Sequence, residues 1–172
     1  MSENDPYALW IMPEGVAYSL TDGYIAKLSQ AFDLPKFEPH VTVLGSLSPE
    51  TTTLRGLADS LPPFRIRLAN QAEYLDEYFR CLFLKADETP ELMEAIAKAG
   101  ELFGDEGRPP FPHLSLAYGD LPVETKQEMV QLLGSIPEVK FDARQLSVVH
   151  ASLEMPISSW KVVERFLLTK KV

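Results

Sequence analysis

Pro39-His-Val-Thr-Val43 and Pro112-His-Leu-Ser-Leu116 stand 73 positions apart in a chain of 172 residues, and they read alike position by position. Both alternate polar and aliphatic residues, the pattern of a half-buried strand. Side chains two apart on a strand share a face. His40 therefore stands beside Thr42, and His113 beside Ser115, while Val41, Val43, Leu114 and Leu116 point the other way, into a core. One such tripeptide says little, since His150-Ala-Ser152 satisfies the bare pattern too, and a single histidine on an apolar strand is usually a packed residue. The weight lies in the repetition.

Outward from the two motifs, one order of elements surrounds each. Tyr7-Ala-Leu-Trp-Ile-Met12 is a β-rich run stopped by Pro13, and residues 16–32 space apolar positions as a helix does, with Thr21 or Asp22 as a candidate inner cap. Phe37 to Leu44 reads as a strand stopped by Gly45, Ser48-Pro49-Glu50 opens a helix reaching about Ser60, and Phe64 to Leu68 is a half-buried strand. The second half repeats this. Phe79 to Lys85 is a strand, Thr89-Pro90-Glu91 starts a helix, Gly104 to Pro110 is a loop, and Pro112 to Tyr118 is a strand. A helix follows Leu121-Pro122, and Val139 to Leu153 and Trp160 to Leu168 read as strands joined by Pro156-Ile-Ser-Ser159. Pro39 and Pro112, Thr42 and Ser115, and Pro49 and Pro122 keep the same register. Repetition of this kind implies two similar units facing each other. The expectation is one α+β domain over residues 1–172, bilobal, with two pseudo-twofold-related β-sheet lobes, helices packed outside and a central cleft. Its sequence halves are 1–75 and 79–172, with the C-terminal strand expected to cross into the first lobe.

Composition narrows the function classes. Apolar residues make up 45% and charged residues 24%, as in a globular protein. No apolar run approaches the length of a membrane span, and Met1-Ser-Glu-Asn-Asp-Pro6 is unlike a secretory leader. Cys81 is the only cysteine, which rules out an intrachain disulfide and a cysteine metal cage, and flanking Phe79, Leu82 and Phe83 suggest that it is buried. A cytoplasmic location and a monomer are the expectations. The formal charge of −9 disfavours long nucleic acid, which is held through phosphate neutralisation, and favours a small phosphorylated ligand in a local pocket.

Two imidazoles and two hydroxyls facing one cleft are what opening a cyclic phosphodiester requires. One neutral imidazole takes a proton from the attacking water, and one imidazolium protonates the departing ribose oxygen on the opposite side. Histidine suits both roles because its ordinary pKa lies near neutrality. The hydroxyls of Thr42 and Ser115 donate to the non-bridging oxygens, where charge is held in the transition state. No metal or other cofactor is expected; neither an HExxH motif nor an acidic cluster accompanies the histidines.

These residues resemble the 2H phosphoesterase superfamily. His40-Val-Thr-Val-Leu-Gly45 and Pro112-His-Leu-Ser-Leu-Ala-Tyr-Gly119 look specifically like the plant and fungal cyclic phosphodiesterases, as do Tyr7-Ala-Leu-Trp-Ile-Met-Pro13 and Trp160-Lys-Val-Val. The resemblance spans almost the whole chain. It implies a bilobal fold and hydrolysis of ADP-ribose 1″,2″-cyclic phosphate to the 1″-phosphate. It also implies conversion of nucleoside 2′,3′-cyclic phosphates to 2′-phosphates, chemistry that disposes of a tRNA-splicing by-product. Carried over, His40 and His113 match the catalytic histidines, Thr42 and Ser115 the phosphate-binding hydroxyls, and Tyr118 a tyrosine that contacts the phosphate or shapes the cleft. Ala117 departs from the larger aliphatic residue expected there. Only the family analogy makes His113 the base and His40 the acid, because the two motifs are nearly symmetric.

Further candidates carry less. Trp10 offers an indole that could stack on a base, though such a residue is more often core, and Tyr7 and Phe37 offer weaker versions. His150 reads as structural or peripheral to the cleft. Arg80 and Arg108 could offset substrate charge, and Glu73 to Glu77 is a solvated crossover or borders the entrance. The alternatives are a 2H-type RNA-end processing enzyme, ligase-like or exonucleolytic, and a non-catalytic nucleotide-binding module. The first calls for a basic track, against the net charge; the second leaves four intact site residues without a role.

Overall fold

The computed structural model describes residues 6–48, 50–105 and 109–171. Pro49 and Arg108 therefore lie outside the described residues, as does residue range 106–108 of the loop read between Gly104 and Pro110.

The first half supplies β1 (Tyr7–Ile11), α1 (Gly15–Phe32), β2 (Val41–Leu47), α2 (Thr51–Asp59) and β3 (Phe64–Glu73). The second supplies β4 (Leu82–Ala86), α3 (Pro90–Phe103), β5 (His113–Ala117), α4 (Val123–Leu133), β6 (Val139–Ala143), β7 (Gln145–His150) and β8 (Lys161–Leu167). All eight strands form one antiparallel sheet in the order β6-β3-β4-β5-β2-β1-β7-β8. Its midline falls between β5 and β2, the strands of the two repeated motifs. On either side of the midline the order is the same under a twofold, since β1 flanks β2 as β4 flanks β5. Each half also lends strands to the other: β3 lies beyond β4, and β7 and β8 lie beyond β1. The fold is α+β, with one sheet and four α-helices among the described residues.

That order forces curvature. Only Arg144 separates β6, at one edge, from β7, next to the other edge. Two residues of chain span about 7 Å at most, so the sheet curls until its ends approach. Leu168 N–H donates to the Arg144 carbonyl at 2.9 Å where they meet.

The alternating pattern sets which face is buried. Val41, Val43, Leu114 and Leu116 are at most 5% exposed and join Leu9, Ile11 and the apolar helix faces in the main core. α1 packs against β5 and α3 against β2, so each half's first helix covers the other half's motif strand. Thr89 caps α3, its hydroxyl accepting from Leu92 N–H at 3.4 Å, and Pro90 occupies the first helical turn. Among the described residues no helix is long and apolar enough to cross a membrane.

Several expected boundaries move. α1 runs unbroken through Thr21 and Asp22; Thr21 is buried and donates to the Ala17 carbonyl at 2.7 Å, a bond within the helix rather than a cap. Gly45 does not stop β2, because pairing with β1 carries the strand on to Leu47, opposite Tyr7. Tyr78–Arg80 form a 3-10 turn before β4, and the run from Val139 to Leu153 is two strands broken at Arg144. Cys81 is fully buried at the end of that 3-10 turn rather than within a strand.

Leu114 is fully buried and sits in β5 between β4 and β2. Leu114→Ala is expected to cost ~2–5 kcal/mol in chemical denaturation, with an unchanged denaturant slope, because the midline of one shared core loses volume that neither lobe can refill alone.

Candidate active site

Val41 pairs with Leu114 across the midline. Continued by one residue each way, this antiparallel register sets His40 opposite Ser115 and Thr42 opposite His113. Opposed Cβ atoms lie about 4.5–5.5 Å apart and diagonal ones about 7–8 Å. In a regular antiparallel pair this register puts the imidazoles at opposite corners of a quadrilateral. All four line one cavity of about 250 Å³, together with Tyr118, Trp10, Phe79, Arg80 and Trp160.

Both histidines are held the same way. His40 Nδ1 lies 2.6 Å from the Glu38 carbonyl, and His113 Nδ1 lies 2.7 Å from the Phe111 carbonyl. A carbonyl oxygen only accepts, so each Nδ1 carries the hydrogen and each Nε2 is left free to gain or lose a proton.

Their surroundings differ. His40 is 5% exposed. Trp10, opposite Thr42 on β1, lies flat on its ring with centroids 3.5 Å apart and planes 6° apart. The Tyr118 hydroxyl stands 3.4 Å from His40 Nε2. Burial drives the His40 pKa from 6.5 down to about 4, opposed by the Glu38 carbonyl and assisted by His113. His113 is more open, touched at 5.3 Å by Phe83 and at 5.2 Å by Phe111. Its pKa is also lowered, by burial first, with the Phe111 carbonyl opposing and Arg80 assisting. Burial pushes the Tyr118 hydroxyl far above its ordinary pKa, so it is a neutral donor near neutral pH. Phe37, buried and stacked on Tyr118 at 3.9 Å, backs that ring. Ser115 is buried, and its hydroxyl donates to the Phe79 carbonyl at 3.1 Å.

The other candidates fall around this centre or away from it. Trp10 has one face occupied by His40 and is 3% exposed, so it serves as the wall of that imidazole. With Trp160 it also borders a second cavity of about 260 Å³ that holds Tyr18, Lys36 and Glu38. Tyr7 packs against His150 at 5.0 Å, and neither residue lines the histidine cavity. Arg80 lines it, and its partner Glu77 ties the crossover loop to the entrance. The sequence alone did not mark Phe79, Trp160 or Phe83 as site residues. The 73-residue repeat pairs Trp10 with Phe83 and Glu38 with Phe111, a signal that could have found the second histidine's neighbours. Among the described residues no three metal-ligating side chains stand together.

Comparison with known proteins agrees with this frame. The family model described as "Cyclic phosphodiesterase-like protein" matches residues 6–170. A cyclic phosphodiesterase of Arabidopsis thaliana is 27% identical over 171 residues, covering 94% of each chain. Among solved structures, E. coli LigT in its apo form superposes with a TM-score of 0.65 at 16% identity, over 96% of this chain and 98% of that one. A protein of Thermus thermophilus gives 0.59 at 22% identity, over 96% and 99%. These two likenesses bear on the fold.

The direction of the His40 shift sets a stability window. Its folded pKa lies below the unfolded value of 6.5, so between about 4 and 6.5 the unfolded chain binds more protons. Stability is expected to be full above pH 6.5 and to decline as pH falls toward 4. Denaturation midpoints across that range should fall less steeply for His40→Asn, and parallel curves would contradict the assigned burial.

Proposed function

The chain belongs to the cyclic phosphodiesterase-like protein family, and from that premise we propose that it opens ribose cyclic phosphates with His113 as base and His40 as acid. The proposed substrates are ADP-ribose 1″,2″-cyclic phosphate, giving the 1″-phosphate, and nucleoside 2′,3′-cyclic phosphates, giving 2′-phosphates. The observation that carries the reading is that two imidazoles from the repeated motifs, each with Nδ1 on a backbone carbonyl, line one cavity.

With a 2′,3′-cyclic phosphate between the rings, His113 Nε2 takes a proton from water as the water oxygen bonds to phosphorus. The bond from phosphorus to O3′ breaks on the far side, and His40 Nε2–H gives its proton to O3′. His113 leaves the turnover protonated and His40 neutral, and exchange with solvent restores both. The assignment follows exposure, since water reaches the more open His113 while His40 lies under Trp10. Burial opposes charge on His40, and an anionic phosphate bound against the ring offsets this. Thr42 and Tyr118 donate to the non-bridging oxygens, and Ser115 joins them by exchanging the Phe79 carbonyl for a phosphate oxygen. These residues supply acid, base and oxyanion donors without calling on a metal.

The test is incubation with nucleoside 2′,3′-cyclic phosphates in EDTA, with the product isomer identified. A 2′-phosphate is expected; a 3′-phosphate, or turnover abolished by chelation, would sink the reading. His40→Ala and His113→Ala should each lower kcat about 10²-fold or more. Both histidine pKa values lie below 6.5. A kcat/KM profile should therefore be bell-shaped with both limbs below pH 6.5, and the kcat limbs should move upward as bound phosphate stabilises the imidazoliums.

A further inference from the structure

Two cavities meet at two indoles. The histidine cavity, about 250 Å³, and its neighbour of about 260 Å³ have only Trp10 and Trp160 in common among the described residues that line them. Trp10 is 3% exposed and lies flat on His40. Trp160 is half-buried, and the 3-10 turn Ile157–Ser159 delivers it, with its N–H on the Ile157 carbonyl at 3.1 Å. Its ring meets Trp10 and Tyr118 edge-on, both at 5.9 Å, and lies nearly parallel to Phe79 at 6.2 Å. The indole Nε1 is covered and has no hydrogen-bond partner, so packing alone holds the ring. Beyond it the space continues. The second cavity shares Tyr18, Glu38, Lys161 and Val162, besides Trp160 itself, with a third of about 710 Å³. Trp160 is therefore a partition between the histidines and an open trough.

We propose that Trp160 determines specificity, closing the C5′ side of the substrate so that free nucleoside cyclic phosphates enter and chains linked through O5′ do not. This rests on the cyclic phosphodiesterase reading and narrows its substrate class. In that reaction O3′ leaves toward His40 and water arrives from the His113 side. C3′ then lies nearest His40, and C4′ with its C5′ arm points to the end walled by Trp10 and Trp160. A 5′-hydroxyl ends there, whereas a further nucleotide on O5′ has to pass the indole. The ADP-ribose substrate meets the same wall differently. There O2″ is the leaving oxygen, so C3″ takes the place of C4′ and brings only a hydroxyl to the indoles. Its C5″ chain starts instead from the ring position of O4′, across the ring from the cyclic phosphate. Each cavity alone is smaller than most small-ligand pockets, ~300–1,000 Å³, and the two joined fall within that range. One side chain thus sets the size of what binds.

The test compares uridine 2′-phosphate with the dinucleotide uridylyl-(3′→5′)-uridine 2′-phosphate by titration calorimetry, which reads the partition whether or not the protein turns over a cyclic phosphate. The mononucleotide is expected to bind about tenfold more tightly or better, the scale on which an apolar pocket rejects a group that does not fit. Trp160→Ala should bring that ratio close to one. The substitution alters no charge, so a preference arising from repulsion by a chain of net charge −9 would survive it. Because the ratio is internal to each variant, a general loss of affinity cancels. Lys36→Ala, which widens the second cavity and leaves the partition standing, should keep the wild-type ratio. A wild-type ratio near one, one that survives Trp160→Ala, or one that Lys36→Ala closes equally, overturns the proposal. Should Trp160→Ala not fold, Trp160→Leu decides: a ratio held at the wild-type value overturns it too. With the matching 2′,3′-cyclic phosphates as substrates, kcat/KM should show the same preference and lose it with Trp160→Ala. Failure of both cyclic phosphates to react would instead strike the parent reading, and the binding ratio would still decide this one.

Discussion

The pairing of Val41 with Leu114 is the constraint on which the rest of the molecule depends. It joins the two lobes at the middle of one sheet and sets the spacing of all four polar side chains of the motifs. The register is strongly specified. Sliding either strand by one residue would turn His40 and Thr42, or His113 and Ser115, into the core and bring valines or leucines out. Imidazoles and hydroxyls buried there without partners would each cost on the order of 1–3 kcal/mol. The alternation that builds the core is thus also the alternation that aims the histidines. The exchange of helices, α1 onto β5 and α3 onto β2, buries that midline from behind and keeps the lobes from parting.

The same constraint explains what was legible in the sequence. The duplicated strands could be read because their polar and apolar positions alternate strictly and because the repeat returns after 73 residues with its proline, histidine and hydroxyl. The α+β class and the order of elements in each half follow from that. Other features depend on long-range pairing. Residues 139–153 mix apolar and polar residues with no glycine or proline to interrupt them, so they read as one strand. The break shows only as a change of phase, with Val139, Phe141 and Ala143 buried before it and Leu146 and Val148 after it in the main core. Gly45 and Phe79 misled for related reasons. Glycine weakens a strand in isolation, yet β1 holds it in place, and the aromatic composition of residues 78–80 suggests a strand where the chain makes a 3-10 turn. The catalytic candidates were visible in the motifs, whereas the rings that enclose them arrive from β1, β4 and the residues before β8, which no local pattern connects.

A duplicated frame has one chemical difficulty: it offers two equivalent histidines, whereas the proposed reaction needs them unequal. The inequality comes from residues at matching positions of the repeat that differ in kind. Trp10 and Phe83 both stand beside a histidine, but the indole lies flat on His40 while the phenyl meets His113 edge-on. Gly45 matches Tyr118, so one hydroxyl reaches His40 Nε2 and the repeat supplies none to His113. The Arg80–Glu77 pair stands on the His113 side. One imidazole is therefore buried between an aromatic plate and a hydroxyl, and the other faces solvent beside charged groups. Under the proposed reading this is the division of labour an in-line displacement needs. The leaving oxygen departs toward the more buried ring, and the nucleophile enters past the more open one. Symmetry brings the two rings to one cavity, and the departures from symmetry tell them apart.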